Sequence, residues 1–221
     1  MQKRCSVCGR VFKILLVLIV LNFSPWAETC IAGAQKRADF KYRWVGSDQW
    51  AAEHGCNVNI PEAFQKPGQP YYQIWGGYHT LNRLLPADRY FKVHPEYFSL
   101  YDNQRTSLQI CLSNPQVQKV VADNLVQLIR DHPLLDIVTL GLQDNRMFCQ
   151  CPRCKARDEK NTAPDQRYSR RVLRFYKNVS ERVHLTFPDI IIRFGCYDIY
   201  AAPPKDKSIT LPPNTYPLIC C

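Results

Sequence analysis

Asp136-Ile137-Val138-Thr139-Leu140-Gly141-Leu142 is the stretch on which the fold turns. Its one charge stands at the first position, and the rest is a nearly continuous apolar run. A strand with one wetted face alternates apolar and polar side chains. A continuous run suits a strand covered on both faces, as in a parallel sheet. The flanks agree. Before it, Ser113 or Asn114 is placed to cap a helix that begins at Pro115 and carries Val117, Val121, Leu125, Leu128 and Ile129 on one face. After it, a cysteine-rich loop leads to a helix expected over 165–185, with the stripe Tyr168, Val172, Phe175, Val179 and Val183. Pro188 closes that helix, and 190–194 is the next strand.

Farther out, further strands are expected over 40–45, 70–75 and 107–112, with a last one formed near 208–211 and 216–220. A short helix over 49–54 is capped by Ser47 or Asp48 and stopped by Gly55. Another follows Pro86 to about residue 94. Strand, loop, helix and strand in this order give an α/β fold with a parallel sheet. Neither a dinucleotide-type GxGxxG nor a Walker loop is present. Five or six strands suit an open doubly wound sheet or most of an eight-stranded barrel, which takes about 250 residues. The chain has 221 residues and ends on Leu218-Ile219-Cys220-Cys221 with no polar cap, which reads as a domain cut short.

Residues 1–34 read as an export signal. Lys3, Arg4, Arg10 and Lys13 form a positive start, 14–21 is an unbroken apolar run, Pro25 breaks it, and Ala32-Gly33-Ala34 offers a cleavage site. The run is about half of what a spanning helix needs. Left uncleaved, the segment would serve as a membrane anchor. Cys5 and Cys8 alone resemble half a zinc knuckle, but no second pair follows at finger spacing. The formal charge is +10, and loss of four basic residues and Glu28 with the signal lowers it to about +7. The remaining Lys and Arg are scattered among acids, and no nucleic-acid-binding motif accompanies them, so a nucleic-acid partner is not expected.

In parallel α/β folds, chemistry gathers where strands end at their C-terminal edge. Read in order, those positions hold Gly76, Gly77 and His79; Cys111, Ser113 and Asn114; Gln143, Asp144 and Asn145; then Cys196, Tyr197, Asp198 and Tyr200. Carboxylates, amides and rings are the mixture that sugar sites use. Asp144, directly after a buried strand, is the candidate general acid at the rim of a low-dielectric pocket; its plain alternative is a turn or cap aspartate. His79 is a substrate ligand or an ordinary loop histidine, and Asn114 a substrate ligand or a helix cap. Glycoside hydrolysis normally needs two carboxylates, and Asp198 or a later residue would be the second. Cys149-Gln-Cys151-Pro-Arg-Cys154 places three sulfurs within six residues. They suit a structural zinc completed by a fourth ligand such as Cys196 or a histidine, or disulfides, or free thiols. A catalytic zinc is not expected, because no His/Glu set accompanies them.

Gly77-Tyr-His-Thr-Leu-Asn-Arg-Leu-Leu-Pro86, Tyr90-Phe-Lys-Val-His-Pro-Glu-Tyr-Phe98, Cys111-Leu-Ser-Asn-Pro115, Gln143-Asp-Asn145 and the Cys-x-Cys-Pro-x-Cys run together resemble the bacterial domain of unknown function 4838. That family is associated with α-glucuronidase-like and other glycoside-hydrolase-like (β/α)8 barrels. The resemblance spans about residues 39–217. It implies an incomplete TIM-type (β/α)8 barrel of five to six parallel strands over 35–221, following the signal peptide. Members of the family usually carry another domain ahead of the barrel and more barrel beyond this endpoint. The implied function is that of a secreted or periplasmic carbohydrate-active protein. Asp144 would act as acid/base, with His79, Asn114, Asn145, Tyr197 and Asp198 binding substrate. No cofactor is required beyond a structural zinc on Cys149, Cys151 and Cys154. The alternatives are a non-catalytic carbohydrate-binding or structural exported protein, and an inactive gene remnant.

Overall fold

A computed structural model describes residues 41–44 and 48–219. The signal segment over 1–34 therefore lies outside the described residues. Strands β1 (Gln73–Trp75), β4 (Leu135–Leu140), β5 (Ile191–Cys196) and β6 (Thr215–Ile219) form a parallel sheet in the order β1-β4-β5-β6. Each parallel strand joins beside the one before it, so the winding runs in one direction. Ile137 stands opposite Ile74 and Ile191, and Val138 opposite Trp75 and Ile192.

Both faces of β4 are covered, as the run at 136–142 predicts. On one face Val138, Leu140, Ile192 and Phe194 join a core with Val117, Val121 and Leu125 of α4 (Pro115–Asp131) and with Val172, Phe175, Val179 and Val183 of α6 (Ser169–His184). Tyr176 stacks on Phe194 with ring centroids 4.4 Å apart. On the other face Ile74, Ile137 and Ile191 pack with Val58, Tyr42 and Tyr72. Burial of such aliphatic side chains contributes about 1.5–3 kcal/mol each.

The helix signals hold where capping chemistry is explicit. Asp48 caps α1 (Gln49–Glu53), its carboxylate accepting from Ala51 N at 2.8 Å, and Gly55 follows with φ 81°. Asn114 caps α4, accepting from Gln116 N at 3.0 Å, with Pro115 at the first turn. The expected helix over 86–94 shortens to α3 (Ala87–Tyr90), preceded by α2 (Leu81–Leu84).

Three expectations are corrected. Five or six parallel strands become four, and among the described residues they make an open sheet with β1 and β6 at its edges; no closed barrel forms. Residues 41–44 are not a strand; Arg43 instead exchanges hydrogen bonds with Asn57 (2.8 and 3.0 Å). The strand at 107–112 leaves the parallel sheet. It belongs to β3 (Gln104–Ile110), antiparallel to β2 (Phe98–Tyr101). The turn between them puts Asp102 and Asn103 at φ 47° and 61°, the geometry whose twist suits a two-residue hairpin. The β5–β6 connection carries one 3-10 turn (Asp198–Tyr200) and no α-helix, and residues 208–211 form no strand. No helix among the described residues is long and apolar enough to cross a membrane.

That β5–β6 connection is tied back to α6. Ser208 donates to Asp206 Oδ1 through Oγ (2.6 Å) and N (3.1 Å), and Arg174 Nη2 donates to Oδ2 (2.8 Å). These donors, Ser208 first, hold the Asp206 carboxyl down to about 2 from an ordinary 3.8. A depressed carboxylate value stabilises the fold above the ordinary pKa, and that contribution is lost as pH falls towards 2. We expect an NMR titration midpoint near 2 for Asp206, and Ser208→Ala to raise it towards 3.8; an unmoved midpoint would discount the serine.

Candidate functional site

The loops after β1, β4 and β5 meet at the C-terminal edge of the sheet. The post-β1 loop is sewn to β4 by Thr80, whose hydroxyl donates to Thr139 O (2.7 Å) and accepts from Gly141 N (2.9 Å). Gly141 O in turn accepts from Thr80 N (3.0 Å) and Leu81 N (3.1 Å), the first donors of α2. Gly76, at φ 97°, lets the chain turn here. His79 is exposed, and its Nδ1 donates to Leu142 O at 2.6 Å. A carbonyl can only accept, so Nδ1 carries the proton and Nε2 is the acceptor in the neutral ring.

Asp144 stands exposed on the post-β4 loop, outside the low-dielectric pocket expected for it. Its Oδ1 accepts from Tyr197 Oη at 3.1 Å. Partial burial is the first cause that raises the Tyr197 phenol, and the nearby Asp144 carboxylate adds to it. Asp198, held at φ 50°, takes both Nε (3.0 Å) and Nη2 (2.7 Å) of Arg146. Two contacts thus bridge the post-β4 and post-β5 loops. Asn145 accepts from Met147 N (3.0 Å) and donates to Leu108 O (2.9 Å). Asn114 lies at the start of α4, where its oxygen caps the helix and its amide donates to Glu96 O (3.2 Å). The structure thus brings His79, Asp144, Asn145, Tyr197 and Asp198 onto the loops of one sheet edge. It uses Asn114 in the fold.

Nine residues past the end of β4, at Cys149, the same loop enters a second constellation. Cys149, Cys151 and Cys154 meet Cys111, the residue after β3, and their four sulfurs all lie within 4.8 Å of one another. Cys111 Sγ is 3.6 Å from Cys149 and Cys154 and 3.8 Å from Cys151. Cys154 projects from α5 (Pro152–Lys155), which Pro152 starts. The fourth sulfur is therefore Cys111, where sequence spacing suggested Cys196 or a histidine. None of the four forms a disulfide. The model of the Domain of unknown function (DUF4838) matches residues 28–216. The chain belongs to this family. No curated protein matches it.

All of the sheet-edge loops and all four cysteines fall inside the matched DUF4838 region. In this DUF4838 domain the cluster can hold a metal ion. The surroundings divide the sulfurs, favouring the anion at Cys154 and the neutral thiol at Cys111 and Cys149. Leu100 N donates to Cys149 Sγ at 3.3 Å. Hydrogen bonds from Cys111 and Cys149 push the Cys154 thiol down, and the Arg171 guanidinium and Ser113 reinforce that. The same exchange pushes Cys111 up, aided by burial. Arg171 is 1% exposed. It donates to Cys149 O at 2.6 Å, pairs with Asp158 at 3.2 Å, and lies 4.6 Å over the Tyr168 ring.

Sequence reasoning missed three residues here. Cys111 was noted at a strand end, but its union with a loop 38 residues away needs the hairpin. Arg171 carried a visible signal: it lies three after Tyr168 and four before Phe175, on the buried stripe of α6. Arg146 carried none, since its partner lies 52 residues on.

Proposed function

We propose that this DUF4838 domain is an exported, carbohydrate-active protein of glycoside-hydrolase type, built on a barrel-type succession of parallel strands. The observation that carries this reading is the Tyr197–Asp144 hydrogen bond where three loops converge at the strands' C-terminal edge. Asp144 would donate the proton to a glycosidic oxygen as an oxocarbenium-like transition state develops. Tyr197 would orient that carboxyl, and His79 Nε2 would accept from a sugar hydroxyl. Tyr78, 64% exposed beside His79, offers a ring for an apolar sugar face. The Arg146–Asp198 pair would hold the post-β5 loop in place and leave Asp198 less free to act as a second carboxylate. A structural zinc in the cysteine cluster belongs to the same reading.

Asp144→Asn is expected to lower hydrolysis of a responsive polysaccharide by about 10²–10⁴-fold while retaining binding. Screening the full chain on uronic-acid and hexosamine glycans, with binding measured alongside, checks this. Hydrolysis unchanged in the variant would remove Asp144 from the chemistry. Binding without hydrolysis in the parent chain would favour a non-catalytic carbohydrate-binding protein. Absence of both would overturn the reading.

A further inference from the structure

Loop 141–151 has two ends with different anchors. One end leaves β4; the other is Cys149 and Cys151. Between them the loop hangs on the β2–β3 hairpin. Gln109 Nε2 donates to Gln143 O (3.2 Å), Asn145 Nδ2 to Leu108 O (2.9 Å) and Ser99 Oγ to Met147 O (2.6 Å). Gln150 N then donates to Leu100 O (2.6 Å), beside the Leu100 N to Cys149 Sγ bond. The hairpin itself ends at Cys111. The hairpin and the loop that carries Asp144 therefore converge on the same four sulfurs.

The sulfur spacing identifies what fits between them. Sulfurs about 2.3 Å from zinc at tetrahedral corners stand about 3.8 Å apart; the three edges at Cys111 are 3.6, 3.6 and 3.8 Å, and all four sulfurs lie within 4.8 Å of one another. A disulfide would need about 2.05 Å. Four thiolates around one Zn2+ leave no open position for water or substrate, so such a site is structural. Binding forms four Zn–S bonds and releases the thiol protons to solvent, leaving two net negative charges. The buried Arg171 guanidinium and the Leu100 amide face that charge.

We propose that Cys111, Cys149, Cys151 and Cys154 form a closed tetrathiolate Zn2+ site that fastens the Asp144 loop to the β2–β3 hairpin, so that metal occupancy sets whether the sheet-edge site is assembled. The second half rests on the reading of that edge as the functional site. The metal half stands on sulfur geometry alone.

The test uses the full chain purified under reducing conditions. It is expected to retain one zinc, and Co2+ exchanged into it is expected to show thiolate-to-cobalt charge transfer and tetrahedral ligand-field bands. Cys111→Ser should weaken metal binding roughly tenfold or more, whereas Cys196→Ser should keep one zinc. If Cys111→Ser does not fold, the parent chain suffices. Chelation should open residues 111, 149, 151 and 154 together to alkylation and speed amide exchange across 142–151, with α4 and α6 unchanged. A chain without metal, or one in which Cys196→Ser loses zinc and Cys111→Ser retains it, overturns the site. Zinc removed with exchange across 142–151 unchanged overturns the fastening. Hydrolysis absent with zinc present would overturn the functional reading and leave the metal site standing; hydrolysis without metal would do the reverse.

Discussion

Gly141→Ala is expected to destabilise the protein by roughly 3 kcal/mol or more. A Cβ at this position would stand 1.5 Å from Tyr78 O and 2.5 Å from Tyr78 C. Both atoms are backbone, so no rotamer change relieves the overlap. Separation of the two loops would also stretch the bonds that Gly141 makes with Thr80 and Leu81, leaving the first donors of α2 and the Thr80 hydroxyl unsatisfied. At this chain length that cost lowers the melting temperature by about 6–12 °C. The control is Gly77→Ala, where nothing lies within 4 Å of the added carbon, and the change should stay within about 0.5 kcal/mol. Thermal unfolding of the two variants side by side checks the close approach of the loops. Equal melting temperatures would refute it.

Arg171→Met is expected to cost about 3–5 kcal/mol, the range for breaking a buried pair from one side. The methionine replaces the packing against Tyr168 and Phe148 in part, but it removes the partner of Asp158 and the donor to Cys149 O. The pH dependence carries a sign. Burial pushes the Asp158 carboxyl up to about 6 although Arg171 draws it down. A carboxyl raised above its unfolded value gives stability that is full below the unfolded pKa and is lost as pH rises through the folded one. Without Arg171 the folded value rises further, so the variant's deficit should be larger at pH 7 than at pH 5. Asp158→Asn in the same chain should recover part of the loss. Denaturant unfolding at the two pH values measures all of this; a deficit that grows on acidification would contradict the pairing.

The fold was legible wherever one segment carries its own instruction. The run at 136–142 announces a strand covered on both faces, and Asn114-Pro115 and Asp48 announce helix starts, because capping and burial depend on neighbours in sequence. The hairpin was misread because β3 has strand-forming residues whatever its partner; the clue to its direction lay in Asp102-Asn103, outside the strand. His79, Asp144, Tyr197 and Asp198 share one edge because each follows a strand, a placement that topology makes legible in the sequence. Arg146 and the fourth sulfur were not, since pairings across 52 and 38 residues leave no local periodicity. Asp144 also differs in character from expectation. The strand before it is buried, but the loop carries the carboxylate clear of that interior.

The most direct measurement is X-ray absorption at the zinc K-edge on the full chain purified under reducing conditions. The sulfur geometry predicts one first shell of four sulfurs at about 2.3 Å, from Cys111, Cys149, Cys151 and Cys154. A shell containing nitrogen or oxygen, or fewer than four sulfurs, would contradict it.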